Sequence, residues 1–222
     1  MILKRIFDII VAFIGLLLLW PLILIIALVV RFTSKGPVLF VQSWVGKEGK
    51  LFSCYKFRTM VRNAEKEGSI TVATDLRITA VGKTLRKYKL DELPQLWNVL
   101  IGKMSFVGPR PDVPGYADTL KGDDAVVLSL RPGITGPATL YFRNEEELLT
   151  KVDNPRQFND AIIWPLKVAI NKKYFQTWNF FRDIGYILIT IIPRVNKILK
   201  LVNEPPHEPS QYIRALDKFR DV

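Results

Sequence analysis

One cysteine (Cys54) and one histidine (His207) serve the whole chain. A single cysteine allows no intrachain disulfide. The two residues together leave little from which to build a zinc site or a Ser-His-Asp triad. No internal repeat or low-complexity tract is present. Chemistry therefore falls to carboxylates, arginine, lysine and a hard metal ion. Acidic residues are also short: 21 Asp and Glu face 32 Lys and Arg, a net charge of +11. That imbalance points to an anionic partner, whether nucleic acid, phosphorylated substrate or acidic lipid. No groove-reading motif appears, which argues against nucleic acid. At 222 residues and 49% apolar, the chain can bury a sizeable core and is not disordered by composition.

The apolar residues are concentrated at the start. Ile9 to Val30 is a run of 22 residues without a charge. As a straight helix it would be roughly 33 Å long, against a hydrocarbon core of ~30 Å. No small-residue cleavage site follows, so a secretory signal fits poorly. Pro21 interrupts the run, and both flanks are basic: Lys4 and Arg5 before, Arg31 and Lys35 after. Two readings stay open on these facts. One is a single span kinked at Pro21. The other is a re-entrant hairpin broken there, with arms about one leaflet deep and both basic ends on one membrane face.

Gly36-Pro37 closes this segment. Val38 to Trp44 and Leu51 to Phe57 are β-branched and aromatic runs around a Gly46–Gly49 turn, a β-hairpin pattern. Helices are expected over Thr59–Glu67, over Ile78–Tyr88, from Asp91 to Gly102, and over Asp160–Phe175. Met104–Val107 reads as a short strand. Two proline-rich loops follow, Gly108-Pro109-Arg110-Pro111 and Arg131-Pro132-Gly133-Ile134-Thr135-Gly136-Pro137. Ile184 to Val202 has the pattern of an apolar helix running into a basic amphipathic one, suited either to a lipid surface or to docking on the protein's own core. The chain thus divides into an N-terminal membrane helix (1–35), a catalytic body (36–202) and a proline-rich polar tail (203–222) expected to be loose. The first 30 residues carry one net positive charge and the tail one net negative. Residues 31–202 therefore hold the full +11.

The chemical candidates lie between Lys56 and Arg143. Lys56 and Arg58 leave a strand, Arg86 precedes the pair Asp91-Glu92, Arg110 is held between prolines, and Arg143 follows the second loop. Acids at a helix start are routine, and single basic residues are usually solvated. Together they match what phosphoryl transfer needs: a carboxylate, Mg²⁺ and fixed cations around a diphosphate. A carboxylate can also act as the nucleophile through an acyl phosphate.

At this point the sequence resembles the bacterial sugar transferases, the small monotopic polyprenyl-phosphate phosphoglycosyl transferases. The resemblance is carried by Lys4-Arg5-Ile6-Phe7-Asp8, the proline-interrupted helix, Gly36-Pro37-Val38-Leu39-Phe40 and Lys56-Phe57-Arg58-Thr59-Met60. It continues through Leu90-Asp91-Glu92-Leu93-Pro94-Gln95-Leu96-Trp97-Asn98-Val99-Leu100, Gly102-Lys103-Met104-Ser105-Phe106-Val107-Gly108-Pro109-Arg110-Pro111 and Arg131-Pro132-Gly133-Ile134-Thr135-Gly136. These blocks run in order over roughly residues 3 to 195. The chain departs from the family pattern at Trp20, at Lys89 and over Pro137–Arg143.

The resemblance implies an α/β fold: a small membrane-associated domain with a re-entrant N-terminal helix hairpin, a short β-hairpin and several amphipathic helices. It implies transfer of a sugar phosphate from a UDP-sugar to undecaprenyl phosphate at the cytoplasmic face of the bacterial inner membrane. Asp91 takes the place of the nucleophile and, with Glu92, of the Mg²⁺ ligands. Lys56, Arg58, Arg86, Arg110 and Arg143 take the places of phosphate-contacting residues, and Pro21 that of the hairpin break. Anionic lipid is the further partner, and nucleic acid is not one. Two rival readings remain at this level: a membrane phosphatase using the same dyad with water, and a non-catalytic basic scaffold.

Overall fold

The computed structural model describes residues 1–64, 71–72, 74–203 and 208–220. They form two compact units. The first is built from the described residues of Met1–Ser69, Asp75–Phe106 and Pro111–Asp118, the second from those of Ile70–Thr74, Val107–Arg110 and Thr119–Val222.

In the first unit, α1 (Ile2–Thr33) is one continuous helix with Pro21 inside it. Proline removes the bond to the Leu17 carbonyl, but the helix does not end there. The helix is long and apolar enough to cross a membrane. Its apolar side chains, including Phe13, Leu17, Leu18 and Ile25, are mostly exposed, the reverse of a core helix in a soluble protein. Strands β1 (Leu39–Val45) and β2 (Leu51–Phe57) pair antiparallel, with Trp44 opposite Phe52 and Phe40 opposite Lys56. The hairpin expected from the sequence is therefore present. Helix α2 (Ala80–Lys87) starts where the Thr79 hydroxyl accepts from the Gly82 N–H at 2.9 Å. A 3₁₀ turn (Leu90–Glu92), α3 (Gln95–Leu100) and the start of β3 (Ser105–Val107) complete the path.

Only a narrow stripe of α1 is buried. Ile26 and Val30 pack with Phe57 and Leu85. Nearer the start, Arg5 donates to the Val99 carbonyl at 2.6 Å and the Leu100 carbonyl at 2.8 Å, and Asp8 accepts from the Phe106 N–H at 3.1 Å. The last carbonyls of a helix lack intrahelical partners, so a guanidinium there both satisfies them and complements the dipole.

In the second unit, β4 (Gly133–Thr135) lies against the chain at Gly108-Pro109. Gly108 donates to the Thr135 carbonyl at 2.9 Å and Gly133 to the Pro109 carbonyl at 2.8 Å. Helices α4 (Pro137–Tyr141), α5 (Glu145–Leu149) and α6 (Pro155–Phe158) follow. A π-turn then leads into α7 (Trp164–Gln176), which precedes α8 (Phe180–Ile191), α9 (Asn196–Leu199) and α10 (Pro209–Arg220). The core gathers Tyr141, Phe142, Leu148, Leu149, Ile163, Leu166, Tyr212 and Leu216. Buried Asp183 accepts from the Tyr174 hydroxyl at 2.7 Å and the Trp178 indole at 3.0 Å, which fixes the turn between α7 and α8.

Four expectations are corrected. Thr59–Ala64 is not an α-helix: Met60 bridges to Ile78 and Val61 donates to the Arg77 carbonyl, and the chain then turns at Arg62-Asn63, where Asn63 has a positive φ of 65°. The rest of that expected helix, with Gly68, lies outside the described residues. The helix expected from Asp91 begins only at Gln95, because Lys89 takes a left-handed conformation (φ 56°, ψ 23°) and the dyad sits in the 3₁₀ turn that follows. The helix expected through Val202 stops at Ile191. Pro193 cannot donate to a preceding turn, and the chain restarts as a 3₁₀ turn and the short α9. The tail is not loose throughout: α10 is helical, and it buries Tyr212 and Leu216.

Candidate active site

The dyad is placed by local chain geometry. Left-handed Lys89 ends the path from α2, and the Glu92 N–H then closes back on the Lys89 carbonyl at 3.3 Å. A non-glycine residue in this region is uncommon and strained, so the turn that aims the acids is held by its surroundings. Behind it, Asn98 knits α3 to β2. Its Oδ1 accepts from the Tyr55 N–H at 3.1 Å, and its Nδ2 donates to the Ser53 carbonyl at 2.7 Å. That bond network carries α3, and the acids at its start, onto the strand that holds Lys56.

Asp91 and Glu92 are both buried, each 7% exposed. Lys56 Nζ lies 3.8 Å from Glu92 Oε1 and 4.6 Å from the centre of the Trp44 ring. Trp44 is itself oriented by its indole N–H, which donates to Gln42 Oε1 at 2.9 Å. Asp91 Oδ1 is buried and accepts no hydrogen bond. Burial pushes the Asp91 carboxyl above its ordinary value, and the Glu92 charge adds to this. Lys56, Lys89 and Arg86 pull in the opposite direction. The result is a carboxylate oxygen without a donor, in a setting of cations, with a second carboxylate beside it.

Of the sequence candidates, the structure brings Lys56, Arg86, Asp91 and Glu92 together. It gives Arg58 a different task. Buried at 6% exposure, Arg58 donates to the Ser34 carbonyl (2.8 Å), the Ser34 hydroxyl (2.7 Å) and the Pro37 carbonyl. It clasps the end of α1 to β2. Gly36 (φ +124°) is required beside it, because a Cβ there would overlap the guanidinium. Arg58→Ala is expected to lower stability by about 2 kcal/mol, since it leaves these carbonyls unpaired, while the KM for a diphosphate donor stays unchanged. Chemical denaturation and steady-state kinetics check the two halves. Arg110 and Arg143 belong to the second unit. Arg110 follows the Gly108-Pro109 pairing with β4, and Arg143 is exposed next to buried Phe142. Sequence reasoning missed Trp44 and Asn98, and marked Lys89 only as a departure from the family pattern. Of the two missed, only Asn98 gave a signal, as a polar residue among the apolar positions of α3.

Known proteins resemble this chain over most of its length. The bacterial sugar transferase family model matches residues 1–197. The chain is 37% identical over 191 residues to the uncharacterized sugar transferase EpsL of Bacillus subtilis, covering 86% of each. It is 33% identical over 204 residues to the exopolysaccharide production protein ExoY of Rhizobium meliloti, covering 85% of this chain and 83% of that one. It is also 37% identical over 197 residues to the UDP-glucose:undecaprenyl-phosphate glucose-1-phosphate transferase of Klebsiella pneumoniae, covering 86% of this chain but 40% of that protein. With its dyad and basic positions all inside the matched region, the chain belongs to the bacterial sugar transferase family.

Proposed function

We propose that the chain transfers a sugar phosphate from a UDP-sugar to undecaprenyl phosphate, as the first membrane step in building a cell-surface glycan such as an exopolysaccharide, O-antigen or capsule. The observation that carries this is the buried, unpartnered Oδ1 of Asp91 beside Glu92 and Lys56. In the first half-reaction an Asp91 oxygen attacks the phosphorus that bears the sugar. A new O–P bond forms, the bond to the UMP oxygen breaks, and UMP leaves with that electron pair. In the second, a phosphate oxygen of the acceptor attacks the same phosphorus and Asp91 is released as a carboxylate. Lys56 and Arg86 offset the charge of the diphosphate and of the transition state, and the family resemblance adds Arg110 and Arg143 as phosphate contacts. The names of relatives support the substrate class: the Klebsiella protein is a UDP-glucose:undecaprenyl-phosphate glucose-1-phosphate transferase, and one from Salmonella typhimurium is an undecaprenyl-phosphate galactose phosphotransferase.

Among the described residues no group of three His, Cys, Asp or Glu side chains gathers to hold a metal. Mg²⁺ fits without one, because it is commonly bound by one or two carboxylates together with substrate phosphates and water. Asp91 and Glu92 are the residues that would hold it, and bound Mg²⁺ would neutralise phosphate charge.

Membrane association is supported by α1 and by the exposed residues Ile191, Ile192, Ile198 and Leu199 interleaved with Arg194, Lys197 and Lys200. The acceptor's chain stays in lipid while its phosphate reaches Asp91, so the site is held at the cytoplasmic surface of the inner membrane. The re-entrant reading requires the otherwise continuous α1 to bend at Pro21, where a helix hydrogen bond is missing, so that both of its ends meet that surface. Ile2→Cys, treated with an impermeant thiol reagent in intact cells, is expected to stay unlabelled; labelling would establish a full span instead.

The decisive assay screens UDP-sugars with undecaprenyl phosphate and Mg²⁺ and reads UMP release and lipid-linked sugar. Free sugar phosphate without lipid product would assign hydrolysis. The ionised Asp91 is the nucleophile and its carboxyl is raised, so the acid limb of activity lies above the ordinary carboxylate value of 3.8. Lys56→Gln removes a charge that holds this group down and is expected to move the acid limb to higher pH in a kcat/KM profile.

A further inference from the structure

The family match ends at residue 197, yet the chain beyond it is folded onto the second unit's core. Tyr212 on α10 is 3% exposed. Its ring stacks on Phe142 at 5.5 Å with planes 23° apart and meets Tyr141 edge-on at 6.0 Å. Leu216, one helical turn on, is buried in the same cluster. Lys151 Nζ reaches Glu208 at 3.7 Å just before the helix. Phe142 also receives the Lys167 ammonium at 5.7 Å from its ring centre, and Lys167 is fixed by Glu145 at 2.8 Å.

What these contacts hold is a specific stretch of chain. Tyr141 is the last residue of α4 and Phe142 caps it. Exposed Arg143 comes next. At its other end α4 begins at Pro137, directly after Gly136, where a Cβ would stand 2.3 Å from the Gly108 carbonyl oxygen. Gly108 is two residues from Arg110. The Tyr212 ring therefore abuts a short helix whose cap directly precedes Arg143 and which starts against the loop carrying Arg110. The Tyr141-Phe142 end of α4 also shares a core with Leu148, Leu149, Ile163 and Leu166, and the aromatic pairs with Tyr212 add to that hold by about 0.5–1.5 kcal/mol beyond their buried area.

We propose that α10 is a positioning element of this chain: Tyr212 and Leu216 lock α4 so that Arg110 and Arg143 are presented to the donor diphosphate. The proposal rests on the reading of these two arginines as phosphate contacts. It assigns no chemistry to Tyr212 itself, whose hydroxyl is pushed up to about 12 by burial and stays protonated.

The test uses the full chain in lipid. Tyr212→Ala removes the ring, Tyr212→Leu keeps apolar volume without it, and Tyr212→Phe keeps the ring without the hydroxyl. In the first two, amide hydrogen exchange over residues 137–149 is expected to accelerate at least tenfold relative to wild type. The KM for the UDP-sugar is expected to rise about tenfold, with kcat and the KM for undecaprenyl phosphate within about twofold. Tyr212→Phe is expected to behave as wild type in every readout. Unchanged exchange in a folded Tyr212→Leu overturns the lock. Accelerated exchange with an unchanged donor KM overturns the positioning role, as does an equal rise in both KM values. Should the wild-type protein release no UMP with any UDP-sugar, the site reading itself fails. The exchange comparison then still decides whether α10 locks α4.

Discussion

Asp91→Asn is expected to lose transfer by about 10⁴-fold and yet to unfold at higher temperature than the parent protein. The two effects share one cause. Oδ1 of Asp91 is buried without a hydrogen bond, and the neighbouring Glu92 charge opposes its ionisation. A carboxyl whose folded-state pKa is raised binds its proton more tightly in the folded protein than in the unfolded chain. Its contribution to stability is full below the unfolded value of 3.8 and is lost as pH rises through the folded value. At neutral pH the buried charge is therefore a liability to the folded state. Asparagine carries none at any pH. The stability gain should therefore be present at pH 7 and fade on acidification toward pH 3, as melting curves across that range would register. A sugar-radiolabelled donor should label the parent protein and leave the variant unlabelled. Full turnover in the variant would end the covalent scheme, and a lowered melting point would show that Asp91 is held by favourable contacts after all.

Gly133→Ala is expected to be the most damaging change outside the dyad. The new Cβ would stand 2.2 Å from the Gly108 nitrogen, 2.5 Å from the Thr135 oxygen and 2.7 Å from the Gly108 oxygen. All three are backbone atoms, so no side chain can swing aside. The paired stretches must separate, breaking the Gly133 bond to the Pro109 carbonyl and the Gly108 bond to the Thr135 carbonyl. A loss of about 3–5 kcal/mol is expected. Any protein that still folds should lose about 100-fold in kcat/KM, because Arg110 is carried on the displaced loop. Gly49→Ala is the control. Nothing lies within 4 Å of its added Cβ, and only its φ of +71° is strained, so about 1 kcal/mol and no change in activity are expected.

Local signals carried part of this structure. The β1–β2 hairpin was legible because its strands are branched and aromatic and its turn has two glycines within four residues. Helix α2 was legible from the spacing of Ile78, Val81, Leu85 and Tyr88. The acids of the dyad were visible as residues, but nothing in an adjacent Asp-Glu pair distinguishes a site from an ordinary helix start. Their weight came from the surrounding blocks that match a known family. What stayed hidden depends on partners distant in the chain. Arg58 read as a phosphate contact leaving a strand, and no local signal marked its hydrogen bonds to Ser34 and Pro37, more than 20 residues upstream. Lys89 gave no hint of a left-handed backbone, a conformation usually left to glycine or asparagine. Tyr212 and Leu216 stand four apart, a helical interval, but three prolines just before them made the tail look loose. Their burial is decided by Tyr141 and Phe142, about 70 positions earlier in the chain.

The bonds from Arg5 and Asp8 carry a consequence for biogenesis. Their partners, Val99, Leu100 and Phe106, are 94 to 98 residues downstream. At the usual ~5–20 residues per second, the ribosome needs roughly 5–20 s to deliver them after α1 has emerged. The first helix thus waits with a charged pair unmet, and it is completed by the last strand of its own unit. Nascent chains stalled before residue 99 should therefore expose Arg5 and Asp8 to solvent or headgroups, whereas chains released beyond residue 106 should have both withdrawn.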